Sequence, residues 1–306
     1  MVHFKITLKS IFTISMAVNF CSCTSQSTGI IAEGAELSQI ANTFSFTEGP
    51  AANEEGDVFF TDQPNDQILK WSASKNTIEV FKKPSGRANG LYVDHKGNLL
   101  AAADEHNELW QIGMNDNIDT LITQFEGKKL NGPNDLWVDL KGGIYFTDPY
   151  YQRPYWDRTT PDIKEKRVYY VAPNRKDITI AAEGFVQPNG IIGTADGKTL
   201  YIADIGAKKT YSFTINDNGD LTNKTLFTEM GSDGMTIDHK GNVYLTGDGV
   251  TVFNKDGKQI AHIPVNEEWT ANVTFGGKNQ ETLFITAKGA VYTLQMNVHG
   301  VRYPMD

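Results

Sequence analysis

The chain has 306 residues and carries 37 acidic against 28 basic side chains, a formal charge of −9. That balance disfavours a nucleic-acid ligand, because phosphate binding needs clustered Lys and Arg, whereas Lys96, Lys141, Lys240 and Lys258 are scattered among turn residues. Both cysteines, Cys21 and Cys23, lie near the N-terminus, so no disulfide braces the body of the fold, and phosphate-loop, dinucleotide and zinc-protease motifs are absent.

Lys5 and Lys9 precede an apolar run from Ile11 to Phe20, too short to span a membrane as a mature helix and shaped like a secretory signal. The stretch Phe20-Cys21-Ser22-Cys23 resembles a bacterial lipoprotein processing site, with Phe in place of the usual Leu. The expected division is therefore a signal peptide at 1–22, a tether at 23–37 that begins with a lipidated Cys23, and one domain at 38–306. A plain cleaved signal is the alternative. The protein is expected to be exported, either to the periplasm or held at a membrane through that lipid alone.

From there the chain repeats one short pattern: an oxygen-bearing side chain, a turn glycine eight residues later, then an apolar strand that usually ends in Asp. The copies begin at Glu48, Asn89, Asn134, Asn189, Asp233 and Asn272, and the last is worn, with Gln280 where the turn glycine would stand. Spacings of 41, 45, 55, 44 and 39 residues suit propeller blades of about 40 to 50 residues. Segments such as Val58 to Phe60, Ile144 to Phe146, Leu200 to Ile202 and Val243 to Leu245 are short, β-branched or aromatic, and bounded by Gly, Asn and Asp. No 3.6-residue apolar period persists for about 12 residues, which excludes a helical solenoid. The fold predicted is all-β, a six-bladed β-propeller.

A blade's innermost strand starts near the central axis, so the six marked residues converge on one end of the channel. Two carboxylates (Glu48, Asp233) and four amides (Asn89, Asn134, Asn189, Asn272) offer the hard oxygen ligands that suit Ca²⁺, and the lack of His or Cys among them argues against a zinc site of the usual kind. Such an oxygen site also accommodates Mg²⁺, Mn²⁺ or Zn²⁺. Any single Asn-Gly reads more readily as a turn than as a ligand; the common phase of the copies favours a ring.

Five ordered motifs, Phe46-Thr-Glu-Gly-Pro50, Leu130-Asn-Gly-Pro-Asn-Asp135, Tyr145-Phe-Thr-Asp-Pro149, Gln187-Pro-Asn-Gly190 and Ser232-Asp-Gly-Met235, resemble those of the SMP-30/gluconolactonase/LRE-like family of calcium-dependent propeller hydrolases. The resemblance covers about Ala41 to Thr286. It implies a metal held by Glu48, Asn134, Asn189 and Asp233, and hydrolysis of a lactone, a sugar lactone foremost, as a small-molecule substrate, with Asp233 as candidate general base and direct nucleophile as its alternative role. It also marks a departure: animal sugar lactonases of this group carry an Arg two residues before the blade-three Asn, and here that position is Gly132.

The long spacing between Asn134 and Asn189 locates an insertion at Pro149 to Lys166, whose Tyr150, Tyr151, Tyr155 and Trp156 either line the substrate site or pack over the channel rim. Further substrate-contact candidates are Asn89, Asn272, Tyr150, Arg87, which stands two residues before Asn89, and His106. Two alternatives stay open, a phosphotriester or fluorophosphate hydrolase on the same ring and a non-enzymatic binding propeller. The repeat carries no signal for oligomeric state.

Overall fold

The computed structural model describes residues 29–113 and 117–301. Each sequence repeat becomes one antiparallel sheet of four strands, paired in chain order in blades one to five. Blade one comprises Thr47–Ala52, Val58–Asp62, Gln67–Ser72 and Thr77–Lys82. The inner strands of blades two to five are Ala88–Val93, Leu136–Val138, Pro188–Gly193 and Met235–Ile237. Blade six contains Thr270–Gly276, Thr282–Ala287 and Ala290–Gln295, and its fourth strand is the N-terminal Ser38–Ala41. This fastens the two ends of the domain together and leaves the ring of blades without a seam. The six-bladed β-propeller expected from the repeat is what the chain forms.

The turn glycines sit where the eight-residue phase put them. Gly56, Gly97, Gly142, Gly197 and Gly241 all have positive φ, and Gln280 keeps that conformation at φ 56 in the worn copy. A strand-to-strand turn therefore demands the left-handed region in every blade, and glycine meets the demand most easily.

Cohesion comes from apolar faces shared by neighbouring blades. Val58 and Phe60 of blade one pack with Phe284 and Val291 of blade six, and Trp137 and Tyr145 of blade three pack with Ile191 and Leu200 of blade four. Trp137, Tyr145, Tyr169, Tyr244, Phe59 and Phe60 are among the largest fully buried side chains, and burial on this scale holds the wheel together without cross-links.

One boundary differs from expectation. Residues 29–37, read as part of a tether, lie against blade six: Ile31 bridges Met296, Ala32 N–H donates to the Gln295 carbonyl, and Ile30 is 3 % exposed inside the blade-six cluster. The reason is composition, since Ile30 and Ile31 offer apolar surface that a free tether would leave in water. The expected signal peptide and Cys23 fall outside the described residues. Ile30→Ala should lower unfolding stability by about 2 kcal/mol, as truncation of a buried aliphatic side chain does; a melting curve indistinguishable from wild type would show the segment to be an ornament.

Candidate active site

Each marked residue is placed by its local backbone. In blades one, two, four and six the pairing of the first two strands slips at the marked residue, between Glu48 and Ala51, Ala88 and Leu91, Pro188 and Ile191, and Thr270 and Asn272. Bulges of this kind re-aim a side chain. In blades three and five the inner strand begins only after Asn134 and Asp233, at Leu136 and Met235.

The glycine that follows four of these residues serves packing, not a turn. A β-carbon at Gly49, Gly90, Gly190 or Gly234 would collide with Asn89, Asn134, Asp233 or Asn272 of the next blade. Adjacent blade starts can thus approach closely around the axis. Thr61 Oγ1 donates to the Asn89 carbonyl at 3.0 Å, and Thr246 Oγ1 to the Ala271 carbonyl at 2.8 Å, which ties one blade's second strand to the next blade's first.

All six residues gather at this end of the channel. Glu48, Asn89, Asn134, Asn189 and Asn272 are buried, and Asp233 is partly exposed. Asp233 is gripped on both oxygens, by Asn189 Nδ2 at 2.7 Å and by the Trp269 indole N–H at 2.7 Å. Glu48 Oε2 accepts the Gly49 N–H at 2.8 Å and Asn272 Nδ2 at 3.1 Å. Asn189 also reaches the Tyr151 hydroxyl at 3.0 Å; with its N–H groups engaged, its Oδ1 is the atom it can offer elsewhere. Asn134 is fixed by its main chain, donating to the Thr147 carbonyl and accepting from Gly90 N–H.

Two site residues had no place in the sequence reading. Asp135 stands where four other blades have glycine, is 7 % exposed, and accepts Leu136 N–H at 2.9 Å and Asn272 Nδ2 at 3.5 Å. A signal was available, because blade three alone follows its marked residue with an acid among otherwise Gly or Val positions. Trp269 had no repeat signal at all.

Burial raises every carboxyl here. It lifts Glu48 well above the usual carboxylate range, helped by the charges of Asp233 and Asp135 and opposed by the Gly49 N–H. Burial pushes Asp135 up to about 7, against the pull of the Leu136 N–H. It raises Asp233 as well, partly offset by the hydrogen bonds from Trp269 and Asn189. The site therefore gathers carboxyls where burial and mutual repulsion oppose their negative charge.

The remaining candidates sort by contact. Asn272 belongs to the ring, but its amide is committed to Glu48, Asp135 and the Val273 N–H, which makes it a brace between carboxylates. Tyr150 turns its hydroxyl to Gln152 and its ring to Trp156; the insertion's tyrosine at the ring is Tyr151. Arg87 donates to the Pro64 carbonyl and lies over the Tyr155 ring. His106 is exposed, with its ring near Trp110. Tyr150 and Arg87 are thus engaged by partners outside the ring. Gly132, at φ 141, has its missing side-chain volume taken by Asp104 and Trp156.

Among the described residues no three Asp, Glu, His or Cys side chains form a metal-holding group, so a cation in this ring would have to draw on amide oxygens too. A cleft of about 1150 Å³ between outer strands of blades one and six is lined by residues such as Glu54, Lys70 and Lys278 and by none of the ring.

Residues 46–289 match the model of the SMP-30/Gluconolactonase/LRE-like region. The chain is 28% identical over 294 residues to a gluconolactonase of Zymomonas mobilis, covering 85% of this chain and 81% of that one. It is 32% identical over 226 residues to the lactonase drp35 of Staphylococcus aureus, covering 68% of this chain and 63% of that one. A solved gluconolactonase structure from Xanthomonas campestris superposes with a TM-score of 0.81 at 27% identity, covering 88% of this chain and 91% of that one.

Proposed function

From the premise that the chain belongs to the SMP-30/gluconolactonase/LRE-like family, we propose that it is a divalent-cation-dependent hydrolase that opens sugar lactones at the channel ring. The observation that carries this reading is Asp233, a partly exposed carboxylate held on both oxygens, whose charge acts against that of the buried Glu48. Similarity to enzymes named gluconolactonase and lactonase supports a lactone as the substrate.

The donor set fits a hard cation. Glu48 and Asp233 supply negative charge, Asn134 and Asn189 supply amide oxygens, and Ca²⁺ takes oxygen ligands in irregular geometry. Two carboxylates that repel each other, one of them buried, are what a divalent cation neutralises. When bound, the ion would polarise the lactone carbonyl and stabilise the charge that develops on its oxygen.

The chain's own groups carry the proton. Asn189 and Trp269 fix the plane of the Asp233 carboxylate, so its remaining lone pairs keep one direction. Asp233 accepts a proton from the attacking water and returns it to the ring oxygen as the carbon–oxygen bond breaks, giving the hydroxy acid. Tyr151, pushed up to about 12 by burial and the nearby Asp233 charge, stays neutral throughout the working pH range and can act only as a hydrogen-bond partner.

Trp269→Phe keeps the ring face but deletes the indole donor. A charge-assisted hydrogen bond of about 1.5–3 kcal/mol is then missing from Asp233, and kcat should fall roughly tenfold. Because that bond favours the ionised carboxylate, its loss should also move the acidic limb of the kcat/KM profile to higher pH. An unmoved limb would mean that Trp269 only packs.

The reading as a whole is tested with a panel of aldonolactones, γ- and δ-alkyl lactones and homoserine lactones, plus one phosphotriester. Aldonolactone turnover is expected. Phosphotriester turnover with silence on every lactone would transfer the ring to the other chemistry, and silence on all would leave a binding propeller.

A further inference from the structure

The Asp that ends a blade's second strand has a standard task in this fold. Asp62 accepts the Ser45 and Phe46 N–H groups, Asp148 those of Asn131 and Gly132, and Asp204 those of Val186 and Gln187. In each case the carboxylate cradles the loop that leads into its own inner strand. Asp104 breaks the pattern. In blade two the corresponding loop is held by Asp66, which accepts Ser85 and Arg87 N–H groups. The Asp104 side chain, 3 % exposed, instead takes Arg153 Nε at 2.8 Å and the Tyr155 hydroxyl at 2.5 Å, while its carbonyl takes the Trp156 indole at 2.9 Å.

A carboxylate withdrawn from its structural task so as to hold an arginine points to a role for that arginine. We propose that Arg153 is the specificity-determining residue of the site, and that its guanidinium hydrogen-bonds the hydroxyls of a neutral polyhydroxy lactone whose carbonyl lies at the ring. The proposal rests on the lactonase reading above and names the substrate feature that is read.

Geometry supports it in three ways. The Arg153 guanidinium lies 5.6 Å from the centre of the Tyr151 ring, Tyr151 reaches Asn189 at 3.0 Å, and Asn189 reaches Asp233 at 2.7 Å. Arg153 is thus connected to the reacting carboxylate through one tyrosine and one amide, which places it beside the ring where it can border a bound lactone. Its Nε is engaged by Asp104, but a guanidinium has five N–H donors, and the side chain is 23 % exposed. An arginine at position 132, two residues before Asn134, could not serve instead, because a side chain at Gly132 would meet Asp104 Oδ1 at 2.8 Å and Trp156 at 3.0 Å.

Charge decides the substrate class. Asp104 already neutralises Arg153, so the guanidinium has no unbalanced charge with which to hold a second carboxylate or a phosphate on the substrate, whereas hydroxyls meet a tethered fork of donors.

The test compares wild type, R153M, R153K and D104N on glucono-δ-lactone and on δ-valerolactone, which has the same ring without hydroxyls. It also measures D-gluconate binding by calorimetry, with thermal melts to confirm folding. R153M should lose about 10- to 100-fold in kcat/KM on the hydroxylated lactone, mainly through KM, and under about twofold on δ-valerolactone. R153K should fall between, since ammonium lacks the planar fork. D104N, which keeps Arg153 but loosens its tether, should raise KM for the hydroxylated lactone alone, and so tests the proposal even if R153M does not fold. Equal losses on both lactones, or none on either, would overturn the assignment while leaving the lactonase reading intact. Absence of all lactone turnover, with gluconate binding that still depends on Arg153, would reject the hydrolase and keep the subsite. Gluconate binding unaffected by R153M would reject the subsite.

Discussion

Asp233→Asn should lower kcat on an aldonolactone by about 10²- to 10⁴-fold, the range associated with loss of a positioned general base. The substitution is nearly isosteric, and an amide oxygen can still serve a cation, so metal affinity should stay within about tenfold of wild type. What disappears is a site able to take the proton of water. The geometry sharpens the case, because Asn189 and Trp269 both present donors to residue 233, and an amide can accept from only one of them with its oxygen. Some local readjustment of Asn189 is therefore expected in addition to the chemical defect. A variant that retains more than about a tenth of wild-type kcat would remove Asp233 from the role of base.

Glu48→Gln should act on the other side of the division of labour. Here the expected loss is in cation affinity, by at least about 100-fold, since even outer-shell partners of a metal ligand cost 10- to 100-fold when changed. Turnover should be recoverable at raised calcium, which separates this variant from Asp233→Asn. Stability in the presence of chelator should move the opposite way from a usual core mutation. Burial and the charges of Asp233 and Asp135 all act against an ionised Glu48, so a neutral isostere relieves the chelated protein, and its Tm should equal or exceed that of wild type. Added calcium should then raise the wild-type Tm far more than the variant's. A variant with unchanged affinity and a lowered Tm would make Glu48 a structural residue only.

What could be read from the sequence was what repeats. A side chain carried at one phase through six copies announces a ring, and the turn glycines announce themselves through the positive φ that each hairpin requires. What did not repeat was hidden. Trp269 reaches Asp233 from the loop before blade six's inner strand, and no spacing rule places an indole there. The choice of Tyr151 over Tyr150 depends on which way an irregular insertion turns its side chains, which neither propensity nor periodicity encodes. The glycines after Glu48, Asn89, Asn189 and Asp233 had no cause of their own in the sequence, where Asn-Gly and Asp-Gly are turn dipeptides by habit. Here they permit close approach between blades. Once that is understood, Asp135 stands out as the blade start that puts a carboxylate where its neighbours leave room. The packing of Ile30 onto blade six was likewise present in the apolar pair Ile30-Ile31 but masked by its nearness to an expected export signal.

The central claim is that the channel ring holds a divalent cation on which lactone hydrolysis depends. It is tested most directly by stripping the protein with chelator and titrating Ca²⁺ back while following both heat of binding and glucono-δ-lactone turnover. The account predicts that the stripped protein is inactive and that activity returns in step with the filling of a single tight site. Undiminished turnover in chelator, by protein that takes up no cation, would contradict it.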